Sequence, residues 1–142
     1  MPEKILVPVD LGDPDSLKAA LAVAEELAAA SGAEIAVLTV VPNYSMPVVG
    51  SYFPRDFADR AIEEARTSLK QAIAEAATTP AAVKAHVAYG SIYDEILKAA
   101  DRLGCDLIVM KSHRPEFADY LLGPNAARVV RHAKQSVYVV RT

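Results

Sequence analysis

The feature that most constrains this chain is an alternation of two hydrophobic periods. Short apolar runs rich in β-branched residues recur along it. Between them lie longer stretches with apolar residues at every third and fourth position. Runs of the first kind read as buried strands and stretches of the second kind as amphipathic helices. Ile5–Val9 opens the series, bounded by Lys4 and Asp10. Asp13-Pro14 then supplies a capping side chain and a residue suited to the first helical position. Leu17, Ala20, Leu21, Ala24, Leu27 and Ala28 follow on one helix face, and Gly32 closes that helix.

The same unit repeats in form, without internal sequence repetition. Glu34–Val41 reads as a second buried strand, then a loop with Pro42, Pro47, Gly50 and Pro54. A helix is predicted from Arg55 to Ala77 through Ala58, Ile62, Ala65, Leu69, Ile73 and Ala76. Val83, Ala85, Val87 and Tyr89 alternate with Lys84, His86 and Ala88, predicting a strand with one wetter face. Gly90 marks a turn and Ser91 caps a helix through Ile92, Ile96, Leu97, Ala100 and Leu103, which Gly104 stops. Asp106–Met110 is the fourth strand, Lys111–Gly123 a loop, Asn125–Ala133 a short helix and Ser136–Arg141 the last strand. Strands separated by helices of these lengths are βαβ units with right-handed crossovers. The fold class is therefore α/β, a mainly parallel five-stranded sheet with helices on both faces.

Composition narrows the function. At 142 residues the chain is expected to form one domain over 1–142, since a domain takes roughly 150 residues. It carries 15 Lys and Arg against 18 Asp and Glu, a net charge of −3. A nucleic-acid binder needs a basic face to neutralise phosphates, so that class is not expected. The single Cys105 forms no internal disulfide and reads as a small buried hydrophobe in a reducing compartment. Asp10, Asp13 and Asp15 interrupt the first apolar run too early for a signal peptide. No run approaches the roughly 18 apolar residues of a membrane span, so membrane insertion is not expected and the cytoplasm is the expected location.

In an open α/β sheet, ligands bind beyond the carboxyl ends of the strands, where the strand order reverses. Asp10, the stretch Val40-Val41-Pro42, Tyr89-Gly90 and the polar segment 111–125 are the candidates by that rule.

The segments KILVPVD, DLIVM and KSHRPEFADYLLGPNAARVVRHAKQSVYVVR resemble the universal stress protein family over essentially the whole chain. The resemblance implies a Rossmann-like sheet of order 3-2-1-4-5, of the adenine-nucleotide alpha hydrolase type. It also implies a stress-response regulatory role, ATP in the cleft between strands one and four, and a homodimer through the last strand. Pro8, Val9 and Asp10 match the family's adenosine-contacting strand end, Val40 the residue at the adenine edge, and Met110 the end of strand four. Family members usually carry G-x-x-G and, further on, G-S or G-T. Here Lys111 and Arg114 stand for the first two glycines with His113 between them. Gly123 is retained, Pro124 replaces Ser or Thr, and Asn125 opens the helix. This H-R-P and L-L-G-x-N-A-A form resembles a subgroup of the family.

These departures have physical consequences. Glycines let backbone N–H groups approach a phosphate closely. Lys111 and Arg114 give up that freedom and offer cationic side chains instead, and Arg grips phosphate bidentately. Pro124 removes an N–H that a phosphate at a helix start would use. Glu116 and Asp119 of the same loop would repel phosphate unless turned away or holding a divalent metal. Two readings of the cleft therefore stand side by side. In the first it binds ATP, with Mg or Mn, or a related nucleotide such as AMP. In the second the nucleotide site has degenerated and the chain acts through an unidentified regulatory protein partner.

The remaining features read more plainly. No nucleophile and base pair is identifiable, so an enzyme is not expected, slow ATP hydrolysis being the one reaction left open. His86, His113 and His132 lack metal-ligand spacing. Arg128, Arg131, His132 and Lys134 read as a solvated face that complements a helix C-terminus. Tyr44, Met46, Val48, Val49, Tyr52 and Phe53 form an apolar loop, either a lid, a partner surface or local packing. The last strand is an edge, and self-pairing of Ser136, Val137, Tyr138, Val139, Val140 and Arg141 across a two-fold axis would protect it.

Overall fold

The computed structural model describes residues 2–42, 57–112 and 124–141. Five strands and four helices alternate along them: β1 (Lys4–Val9), α1 (Pro14–Ser31), β2 (Glu34–Pro42), α2 (Phe57–Ala76), β3 (Val83–Gly90), α3 (Ile92–Leu103), β4 (Leu107–Lys111), α4 (Pro124–His132) and β5 (Ser136–Val140). The strands lie parallel in the order β3-β2-β1-β4-β5. The expected α/β sheet with order 3-2-1-4-5 is the observed one.

Burial on both faces accounts for the apolar runs. Ile5, Leu6 and Val7 of β1 are wholly buried, with Ile5 and Val7 under α1 and α2, and Leu6 under α3 and α4. α1 contributes Leu17, Ala20, Leu21 and Ala24 to the first of these layers, joined by Leu69 and Ile73 of α2. α3 and α4 contribute Ile96, Ala99, Ala100, Ala126 and Val129 to the second. Each fully buried Leu or Ile is worth about 1.5–3 kcal/mol relative to exposure, so these two layers hold the sheet together. Cys105 packs in the second layer, and burial pushes its thiol above its ordinary value.

The helix stops follow local chemistry. Asp13 caps α1, its Oδ1 accepting the Ser16 backbone N–H at 3.2 Å and its Oδ2 the Ser16 hydroxyl at 2.8 Å. Gly32 at φ 77° and Gly104 at φ 69° close α1 and α3 in the left-handed conformation that favours glycine.

Several boundaries differ from the expected ones. β2 runs on to Pro42, paired with Gly90, because β1 has ended at Val9 opposite Thr39 and leaves no partner waiting for the missing N–H. Lys111 belongs to β4 rather than the loop, since it continues the ladder opposite Val140. α4 starts at Pro124 rather than Asn125, proline being pre-set for the first helical position. The wetter face expected of β3 is only partly so: Lys84 is exposed, His86 and Ala88 are half-buried, and Tyr89, expected on the drier face, is exposed. Val83, Ala85 and Val87 pack on the α1 and α2 side, and Ala88 packs against the α3 and α4 layer. The expected helix start at Arg55 lies outside the described residues.

Candidate functional site

The strand order reverses at β1. The chain moves from β1 to β2 and β3 on one side, and β4 and β5 extend the other. α1 leaves the top of β1 toward one face, and α4 covers the opposite face beyond β4. The divergence opens a cleft of about 420 Å³ above the β1 and β4 ends. That volume falls within the range of small-molecule sites, roughly 300–1,000 Å³.

The walls change character from one side to the other. Pro8, Val9 and Asp10 end β1, and Thr39, Val40 and Pro42 end β2. Met110 and Lys111 end β4, Ile92 and Ile96 come from α3, Ser16 from α1, and Asn125 and Ala126 from α4. Val40, Ile92, Ile96 and Met110 give an apolar stretch. Asp10, Ser16, Lys111 and Asn125 give polar points around it. Thr39 is buried and donates its hydroxyl to the Val9 carbonyl at 3.2 Å, so it ties β1 to β2 at the cleft floor.

Asp10 is held by its own turn. Its Oδ1 accepts the Gly12 N–H at 2.8 Å and its carbonyl accepts the Asp13 N–H at 3.0 Å. A Cβ at residue 12 would stand 3.2 Å from that oxygen, a close approach that glycine makes free of strain. The carboxylate is thus oriented before any ligand arrives.

Of the expected site residues, Pro8, Val9, Asp10, Val40, Met110, Lys111 and Asn125 line this cleft together. Pro124 sits at the start of α4 beside Asn125 and does not line the cleft. His113, Arg114 and Gly123 lie outside the described residues, as do Glu116, Asp119 and the aromatic loop from Tyr44 to Phe53. Pro42, a candidate from the end of β2, lines it too, whereas Ser16, Thr39, Ile92, Ile96 and Ala126 line the cleft but were missed. The signal was available for three of them: Ser16, Ile92 and Ala126 lie in first helical turns, which face the same end of the sheet as the strand ends.

The two histidines among the described residues lie on different elements. His86 lies on β3 and His132 at the exposed end of α4. Among the described residues no three His, Cys, Asp or Glu side chains come together to hold a metal ion. No helix among them is long and apolar enough to cross a membrane.

Comparison with known proteins agrees with this architecture. The model of the universal stress protein family matches residues 1–141. The chain belongs to the universal stress protein family. It is 34% identical to universal stress protein G of Escherichia coli O157:H7, over 99% of this chain and 100% of that one. The solved universal stress protein UspA from Lactobacillus plantarum is 28% identical, with a TM-score of 0.77 over 98% of this chain and 97% of that chain. A universal stress protein from Archaeoglobus fulgidus, solved in complex with dAMP, is 24% identical with a TM-score of 0.70. Each chain covers 96% of the other in that comparison, which shows a shared fold.

Proposed function

We propose that this universal stress protein is a stress-response regulatory protein that binds ATP or a related adenine nucleotide in the β1/β4 cleft. The observation that carries the proposal is the cleft itself, a pocket at the switch point graded from apolar to cationic. The base would lie against Val40, Met110 and Ile92, with the Val40 backbone at its edge. The Asp10 carboxylate suits ribose hydroxyls, which donate to it. It would repel phosphates, which directs them toward Lys111 and the start of α4. There the Asn125 and Ala126 N–H groups and the positive end of the helix favour an anion. His113, Arg114 and Gly123 complete the proposed phosphate side. The dAMP complex of the Archaeoglobus fulgidus protein supports the reading by analogy of fold. A divalent ion, Mg or Mn, would enter with the phosphates. It would lend charge neutralisation there; Asp10 is the one carboxylate among the described residues lining the cleft.

The protein is further proposed to act as a cytoplasmic homodimer through β5. β5 is a sheet edge, and its Tyr138 is 46% exposed. Nucleotide occupancy would then bias the loops around the cleft, and a protein partner would read that state.

One observation favours the second reading. Pro124 is the first residue of α4 and brings no N–H to the helix end that would meet phosphate. In that reading the cleft has lost its nucleotide and the regulatory partner binds elsewhere.

Calorimetric titration of the protein, freed of carried-over nucleotide, separates the two. Micromolar binding of Mg-ATP exceeding that of AMP supports a phosphate grip by Lys111, Arg114 and Asn125. A far larger loss on Arg114→Ala than on the distant Arg66→Ala would assign that grip to the side chain. No heat, together with no rise in thermal midpoint, overturns the nucleotide reading, since tight binding must raise the midpoint by mass action. Phosphate release under the same conditions tests for slow hydrolysis.

A further inference from the structure

The start of α4 forms one wall of the cleft, and a contact outside the cleft joins this helix to α3. α4 is nine residues long. Its Ala126 and Val129 are buried in the layer shared with α3. The hydrophobic attraction that buries them is non-directional. A directional contact between the two helices lies at the rim of this layer, against which Tyr93 also packs. The Arg128 guanidinium carbon stands 4.9 Å from the centroid of the Tyr93 ring, within the range of a cation–π pair. His132, one turn beyond Arg128, brings its ring to 6.4 Å from Tyr93 at an interplanar angle of 37°.

The positions of these residues link them to the cleft. Tyr93 follows Ile92, and Arg128 lies three residues after Asn125 and two after Ala126. Ile92, Asn125 and Ala126 all line the cleft. The ring and the guanidinium therefore clamp together the two helices whose first turns face each other across the α3 and α4 side of the site.

We propose that Arg128 and Tyr93 are positioning residues: their cation–π clasp fixes the start of α4 relative to α3 and so sets where the Asn125 and Ala126 N–H groups meet the phosphate. This rests on the nucleotide reading of the cleft. Neither residue lines the cleft. Arg128, which reads in the sequence as part of a solvated basic face, thereby gains a specific task.

The test uses the full chain and two readouts. The first is AMP affinity by calorimetry for the parent, Arg128→Ala, Arg128→Lys, Tyr93→Leu and Tyr93→Phe. The second is amide hydrogen exchange without nucleotide at Val129 and Val130, whose helical hydrogen bonds close on the Asn125 and Ala126 carbonyls, with Ile108 of β4 as the core reference. The clasp predicts a loss of about three- to fivefold in affinity for Arg128→Ala and Tyr93→Leu, the size of an exposed cation–π pair. Tyr93→Phe keeps the ring and restores parental affinity, and Arg128→Lys falls between. Exchange at Val129 and Val130 quickens in Arg128→Ala and Tyr93→Leu and stays parental in Tyr93→Phe. Unchanged exchange at Val129 and Val130 in Arg128→Ala overturns the proposal. So does equal quickening at Ile108, which marks a global loss. If exchange responds as expected but the parent gives no heat with AMP or Mg-ATP, the nucleotide reading falls and the clasp stands.

Discussion

The carboxylate of Asp106 reaches across the chain to the first residues of β1, accepting the Glu3 N–H at 3.0 Å and the Lys4 N–H at 3.1 Å. The Asp106 N–H in turn donates to the Lys4 carbonyl at 3.0 Å. This pins the lower end of β1 to the approach of β4. The two N–H groups of Glu3 and Lys4 hold the Asp106 carboxyl below its ordinary 3.8. A carboxylate with a depressed value in the fold stabilises it above about pH 4, and that contribution is lost as pH falls through the lowered value. Asp106→Asn should therefore lower the thermal midpoint at pH 7 and bring it closer to the parent's near pH 3. A difference from the parent that stays constant from pH 7 to pH 3 would show that the charge is not what matters.

His86 gives the opposite kind of handle. It lies on β3 opposite Leu38 and is partly buried. Burial lowers its pKa from 6.5 first, and the positive charges of Arg102, Lys4 and Lys84 lower it further. The folded state thus prefers the neutral ring, and the unfolded chain binds the proton more readily. Stability from this group is complete above about pH 6.5 and declines as pH falls below it. His86→Gln should flatten the midpoint between pH 7 and pH 5 relative to the parent. A parallel pair of curves would remove His86 as the cause.

What could be read from the sequence and what could not divide along physical lines. Ile5–Val9 and Glu34–Val41 were legible because double-sided burial demands uninterrupted apolar residues. Gly32 and Gly104 were legible because a left-handed helix end favours glycine. The two-sided packing of β3 was not, because the partial burial of Ala88 depends on which helices reach that edge. Lys111 looks like a loop residue by its charge, yet the ladder opposite Val140 draws it into β4. Within the cleft, the strand-end residues Asp10 and Val40 follow from topology once the βαβ pattern is seen. Ile96 and Thr39 do not, since they reach the cavity from inside a helix and a strand whose periodicity marks them only as core.

The proposed dimer makes a prediction that strand geometry sharpens. The Val140 carbonyl accepts the Ser112 N–H at 3.1 Å, so Val140 directs its backbone groups toward β4. Neighbouring residues in a strand direct theirs to alternate sides, which turns the Val139 N–H outward to the open edge. Val139→Pro therefore deletes a donor from the outer edge and leaves the ladder to β4 intact. A monomer mass by light scattering is expected, with the far-ultraviolet circular dichroism of the parent. An unchanged dimer mass would exclude β5 as the pairing edge.

Pro124 offers the most direct test of how the chain holds phosphate. Serine at this position returns one backbone N–H at the start of α4 and adds a hydroxyl, both beside Asn125. If phosphate sits there, Pro124→Ser should add one or two hydrogen bonds. At about 1 kcal/mol each, ATP would bind roughly five- to thirtyfold more tightly. The same change frees the unfolded chain, so stability without nucleotide should fall by about 0.4–1 kcal/mol. The two effects have opposite signs, which separates ligand contact from folding. A lower midpoint without any gain in ATP affinity would mean that phosphate does not meet this helix end. The phosphate grip would then rest on Lys111 and Arg114.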